Sequence, residues 1–206
     1  MKRAKVALDD PRPRDQQSRR DRILTAAIDR FQLEGLSGVS MRTVAADVGM
    51  SPMGLYRHFA DRDALVDAMV DRCLAAFEEA LRSTTRRGTP LQRLRGLMRA
   101  YVDFALGERA MYDLLFRSTR PSNDPFFDEY KAGTSPSFEL LRAAVADVMA
   151  TADVSDANSV EAAVSIWAQA HGLTSLFLAG RFGGGEQLFR KFYMRSMERV
   201  IVTFAH

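Results

Sequence analysis

The sequence predicts an all-α protein of about nine or ten helices. Apolar residues recur three and four positions apart over most of the chain after Ile23, so successive stretches each carry one apolar stripe. Four prolines follow a residue able to cap a helix, in Ser51-Pro52, Thr89-Pro90, Asp124-Pro125 and Ser135-Pro136. The Ser, Thr or Asp oxygen accepts from an otherwise unpaired N–H of the first turn, and proline brings a φ already suited to the first helical position. No proline interrupts an apolar-periodic stretch, and no segment shows sustained strand-type alternation between hairpin dipeptides.

Taken in order, residues 1–17 are polar, contain Pro11 and Pro13, lack an apolar period and read as a flexible basic arm. Ile23, Leu24, Ala27, Ile28 and Phe31 share one helical face, Ser18 with Asp21 offers a start and Gly35 a stop, so a first helix is expected over 19–34. Further helices are expected over 41–48, 52–58, 62–82, 90–106, 109–116, 125–132, 136–150, 157–179 and 186–204. Gly183-Gly184-Gly185 joins the last two into a helical hairpin.

At 206 residues and 47% hydrophobic content, the chain can bury a sizeable core. No apolar run approaches the ~20 residues of a membrane span, and the first residues lack a signal-peptide stretch, so a cytoplasmic protein is expected. Cys73 stands alone, and with His58, His171 and His206 it has no metal-ligand spacing, so neither a metal nor a cofactor is expected. The net charge of +3 is unevenly spread: residues 1–62 hold 12 Lys/Arg against 8 Asp/Glu, so the remainder carries −1. A basic front joined to a near-neutral body fits a front end that meets a polyanion.

Residues 40–59, SMRTVAADVGMSPMGLYRHF, concentrate the signal. Ser40 can cap a short helix whose Met41, Val44, Ala45 and Val48 face inward, Gly49 can turn with positive φ, and Ser51-Pro52 starts a second short helix with Leu55 inward. Two short helices joined by a three-residue turn form a helix-turn-helix, whose second helix presents its N-terminal residues to base edges in the major groove of DNA.

Thr43-Val44-Ala45, Val48-Gly49-Met50-Ser51, Gly54-Leu55-Tyr56-Arg57-His58-Phe59 and Asp61-Arg62-Asp63-Ala64-Leu65 resemble the N-terminal signature of TetR-family regulators, without a gap from about 19 to 68. The resemblance implies a three-helix DNA-binding head over 18–64, then a ligand-binding and dimerising bundle over 65–206. It implies DNA contacts from Thr43, Ser51, Pro52, Met53, Gly54, Tyr56, His58 and Arg62, with Thr43 and Arg62 gripping the backbone. His58 reads equally well as a phosphate donor or as an ordinary surface or cap histidine. Arg42 and Arg57 read as solvated charges at least as readily as phosphate contacts, and Arg12, Arg14, Arg19 and Arg20 as a tail near a minor groove or as a non-contacting one.

Trp167, His171-Gly172 and Leu176 resemble the Trp-His-Gly branch of TetR C-terminal domains, over roughly 160–182. In the family, the two terminal helices pair with those of a second subunit. Val160, Val164, Leu173, Leu176, Phe189, Phe192, Tyr193, Met197 and Val200 supply apolar surface for that homodimer, or alternatively for an intrachain core. Phe77, Met98, Tyr101, Phe104, Met111, Tyr112, Leu115, Phe116, Phe127, Trp167 and His171 are ordinary core or the lining of an adaptable apolar pocket, with tyrosine and histidine tips to orient a small effector.

The expected partners are double-stranded operator DNA, a second copy of the chain and a small, apolar or aromatic effector, with no membrane. An enzyme is the rival class, but no phosphate loop, nucleophile elbow or catalytic triad spacing occurs, and no catalytic residue is assigned. A redox switch at Cys73 competes with simple packing. An effector-independent regulator or an activator of the same fold is the alternative within the class.

Overall fold

The computed structural model describes residues 13–84, 88–116, 135–152 and 158–204. Those residues form α1 (Pro13–Gly38), α2 (Met41–Asp47), α3 (Pro52–Tyr56), α4 (Arg62–Arg82), α5 (Pro90–Gly107), α6 (Arg109–Phe116), α7 (Pro136–Thr151), α8 (Ser159–Leu178) and α9 (Gly185–Thr203). Among the described residues there is no strand. The helix expected at 125–132 and most of the expected arm lie outside the described residues.

The proline signals place starts correctly where they can be read. Pro52, Pro90 and Pro136 each open a helix, and Ser51 and Thr89 accept from Gly54 N and Gln92 N. Ser135 precedes α7 without a side-chain cap bond. The first helix differs from expectation at both ends. It begins at Pro13, so Ser18 lies inside it and is not its cap. At its far end Gly35, with φ 67° and ψ −170°, breaks the helical path, after which the last turn resumes to Gly38. The stop residue acts where expected, as a kink, because a left-handed φ is nearly free for glycine.

The chain divides into two compact units, up to Arg72 and from Cys73. The interior of the first is Ile23, Ala27, Val39, Val44, Ala45, Leu55, Leu65 and Met69, all fully buried. Its α1 packs on α2 and α2 on α3. Arg30 adds a two-pronged bond from α1 to Asp47 of α2, with both N–O distances 2.6 Å, and Arg72 donates to Asp21 O at 2.7 Å.

The second unit is built on α5, which packs against α6, α7, α8 and α9, while α8 also packs on α7 and α9. Phe77 and Leu81, from the second half of α4, belong to its core. Polar ties fasten α9 to α5: Arg95 with Glu198, Arg190 with Asp103, and the Tyr193 hydroxyl donating to Met98 O at 3.0 Å. Cys73 is fully buried. Among the described residues, no helix is long and apolar enough to cross a membrane, and no group of three or more His, Cys, Asp or Glu could hold a metal.

Candidate DNA-binding face and buried polar cluster

The reading motif is assembled by caps. Ser40 Oγ accepts from Thr43 N at 3.1 Å, and Ser40 N donates back to Thr43 Oγ1 at 3.0 Å, closing a capping box on α2. Thr43 Oγ1 also donates to Gly38 O at 2.9 Å or to Ser40 O at 3.1 Å. The hydroxyl expected to meet a phosphate is therefore part of the helix start. Gly49 turns the chain with φ 68°, and Met50 N donates to Ala45 O at 2.8 Å.

On α3, Leu55 is fully buried, whereas Met53 is 70% and Tyr56 49% exposed. Ser51 and Pro52 are also exposed. A methyl group added at Gly54 would meet Met50 and Ser51 side-chain atoms at an ordinary 3.4 Å, so the fold of the head does not require a bare backbone there. Apart from Leu55, α3 thus holds its side chains outward with one apolar anchor.

The far end of α3 is held by arginine. Arg20 Nη1 donates to His58 O at 2.9 Å, and its guanidinium carbon stands 4.2 Å over the ring of Phe59. The His58 imidazole is half-buried and titrates below its usual range, first because burial disfavours its cation and then because Arg19 and Arg20 repel it. Arg62, expected from the resemblance to grip DNA, directs Nε to Val39 O at 2.7 Å and Nη2 to Leu36 O at 2.5 Å. Those carbonyls lie beside the end of α1, where a cation is favourable. Periodicity concealed the roles of Arg20, Arg30 and Arg62, because a helix wheel shows only which face a charge is on.

In the second unit, the expected polar tips come together. The Tyr101 and Tyr112 hydroxyls each lie 3.0 Å from His171 Nδ1 and 3.2 Å from one another. Burial, reinforced by Tyr112, pushes the Tyr101 phenol well above its usual range, so it stays protonated. Around this triangle, Phe77, Phe104, Phe116 and Trp167 make ring contacts at centroid separations from 5.0 Å for Tyr112–Phe116 to 6.4 Å for Phe116–Trp167. Met98 belongs to the same core, with Met111 and Leu115 packed against it. Phe127 lies outside the described residues.

The nine residues expected at a dimer face separate into three groups. Phe189, Tyr193 and Met197 are fully buried in the chain's own core, where Phe189 stacks on Phe177 with centroids 4.2 Å apart. The intrachain alternative therefore describes those three. Val160, Val164, Leu173 and Val200 are partly buried against that core, and Leu176 and Phe192 are 49% and 40% exposed. Leu188, not among the nine, is 52% exposed, and its spacing of four from Phe192 puts both on one face of α9.

Residues 23–69 match the family described as bacterial regulatory proteins, tetR family. Residues 94–203, over half the chain, match the family described as tetracyclin repressor-like, C-terminal domain. The chain is 46% identical over 52 residues to the HTH-type transcriptional repressor DrrR1 of Streptomyces coeruleorubidus, covering 25% of this chain and 19% of that one. It is 34% identical over 110 residues to the HTH-type transcriptional activator FasR of Mycolicibacterium smegmatis, covering 52% and 48%. The chain thus spans at most about half the length of these curated relatives. Its fold is shared with a TetR-like transcriptional regulator from Rhodococcus sp. RHA1, with a TM-score of 0.66, 19% identity and coverage of 89% and 96%. A buried anchor behind an outward-facing helix-turn-helix, joined to two family matches that cover head and body, has one reading: the chain belongs to the TetR family of bacterial regulatory proteins.

Proposed function

We propose that this regulator is a repressor that binds a palindromic operator as a homodimer and releases it when a small, apolar or aromatic effector enters the helical body. The observation that carries the DNA-reading half is the exposure of Met53 and Tyr56 on a helix anchored by Leu55. In this reading, residues 18–64 read DNA, with Ser51, Pro52, Met53, Gly54 and Tyr56 nearest the groove, and residues 65–206 bind effector and partner. The side chains of Arg42 and Arg57 are exposed and, among the described residues, make no ion pair or hydrogen bond, which supports them, before the committed Arg62, as the field that meets phosphate.

Leu176, Leu188 and Phe192 support a second copy of the chain as the partner of the terminal helices. The ring cluster around Tyr101, Tyr112 and His171 supports an effector with an apolar body. Helix α4 contributes side chains to both interiors, Leu65 and Met69 to one and Phe77 and Leu81 to the other, and it is the route we assign to the signal. Effector and operator then weaken one another by one shared factor, typically ~1–3 kcal/mol.

Selection of bound sequences from a random duplex pool tests the proposal. Recovery of an inverted repeat, with half-sites about one helical turn of ~34–36 Å apart or a multiple of it, is the expected result. Recovery of no preferred sequence, or of a single unrepeated half-site, overturns it. The direction of regulation is read by footprinting: a footprint that overlaps the promoter agrees with repression, and one that lies upstream agrees with activation.

A further inference from the structure

Thr174 of α8 is fully buried, and its hydroxyl has no hydrogen-bond partner, alone among the buried side-chain polar atoms described. Leaving a buried hydroxyl unpaired destabilises a fold, so each such group calls for an explanation. The helix offers an escape, since a threonine or serine can donate to the carbonyl four residues back. Thr25, Ser165 and Thr203 of this chain do so, at 3.0, 2.9 and 3.0 Å. Thr174 does not.

Its place on α8 is informative. Trp167, His171, Thr174 and Leu178 stand at spacings of four, seven and eleven, which is one stripe of a helix. His171 in that stripe already meets the hydroxyls of Tyr101 and Tyr112, and Tyr193, from α9, spends its hydroxyl on Met98 O. Thr174 therefore adds an open donor and an open acceptor to a core whose other described polar tips are engaged.

Charge narrows what could meet it. The Arg109 guanidinium is half-exposed and is directed to Leu178 O at 3.2 Å and Asp113 at 3.7 Å, at the end of α8. Among the described residues, no lysine or arginine is buried in this core. A carboxylate entering the stripe would shed water for protonated phenols, a neutral hydroxyl and the single His171 ring, with no lysine or arginine buried among the described residues to balance it.

We infer that Thr174 is the specificity-determining contact of the effector site, and that the site takes a neutral molecule with an apolar body and one hydroxyl or carbonyl group. The inference rests on the effector-response reading above and adds to it the chemistry of the ligand and the residue that selects it.

Four ring compounds of similar size serve as probes: cyclohexanol, cyclohexanone, methylcyclohexane and cyclohexanecarboxylate. Trp167, the chain's single tryptophan, lies in the same stripe and reports binding by its fluorescence. The full chain and its Thr174→Val and Thr174→Ser variants are titrated, with operator affinity measured alongside. Wild type should bind the alcohol and ketone about ten-fold more tightly than the carboxylate, because a site built to hydrogen-bond its ligand discriminates against one it cannot pair. Thr174→Val should lose about ten-fold for the alcohol and ketone, hold or gain affinity for methylcyclohexane, and melt no lower than wild type; Thr174→Ser should keep the wild-type order.

Equal affinities for the alcohol in all three proteins, preference for the carboxylate, or binding of none of the four overturns the assignment. If compounds weaken operator binding equally in wild type and Thr174→Val, effector response stands and the Thr174 assignment alone falls. If Thr174→Val does not fold, the ranking of the four probes on wild type and Thr174→Ser decides.

Discussion

Arg62 and Met53 show how differently two residues of one motif can serve it. Arg62 satisfies carbonyls at the end of α1, so Arg62→Ala should lower the stability of the head by about 1 kcal/mol in chemical denaturation. The slope of log affinity against log salt should stay as it was; a loss of roughly 0.9 in that slope would show a phosphate contact instead. Met53, 70% exposed, should tolerate change within about 0.5 kcal/mol of stability. Its replacement should re-order the preferred operator sequences, and a change in overall affinity alone would mean that it reads no base. His58 adds a pH term. Its folded-state pKa is lowered from the ordinary 6.5, so the unfolded chain takes up the proton more readily. The stability from keeping the ring neutral is present above that value and declines as pH falls through it. Urea unfolding between about pH 7 and 5.5 should show a shallower decline for His58→Gln, and identical declines would remove the role given to burial and Arg19 and Arg20.

At the scale of the element, α3 is too short to stand on its own hydrogen bonds and depends on what holds its ends. Ser51 caps one end, Arg20 binds beyond the other, Leu55 anchors the middle, and Gly49 sets the angle from α2. Gly49→Ala meets no atom within 4 Å, so its cost is conformational alone, about 1–2 kcal/mol for a left-handed φ. Operator affinity should fall with it, because relief of the strain re-aims α3. Unchanged affinity and stability would show that the turn tolerates another path. Helix α1 carries a related lesson: Gly35 was legible as a stop, yet three residues beyond it rejoin the helix, since one residue in an unusual conformation interrupts a hydrogen-bond ladder without forbidding the next turn.

For the whole molecule, the proposed function makes affinity depend on two heads acting together. Phe192→Asp places a charge on the exposed face of α9, which leaves the chain's own core intact. Sedimentation should then find a monomer, and binding to a full operator should fall toward that of a half-site. A stable dimer with that change would move the interface elsewhere. Phe189, Tyr193 and Met197 are unsuitable for the same test, since each fills the interior and its loss would unfold the unit.

Local chemistry made much of this protein readable from its sequence. Helix period, proline after a capping residue, and the glycine turn between two short helices are decided within a few residues, so the helices, the reading motif and the membership of Tyr101, Tyr112 and His171 in one core could be anticipated. Tertiary packing alone decided which apolar face of the last two helices is consumed internally, which arginines are committed to carbonyls and carboxylates across helices, and that Thr174 is left without a partner. A residue's face on a helix follows from its own position, whereas its partner follows from chain folded back from tens of residues away, and no local pattern carries that distance.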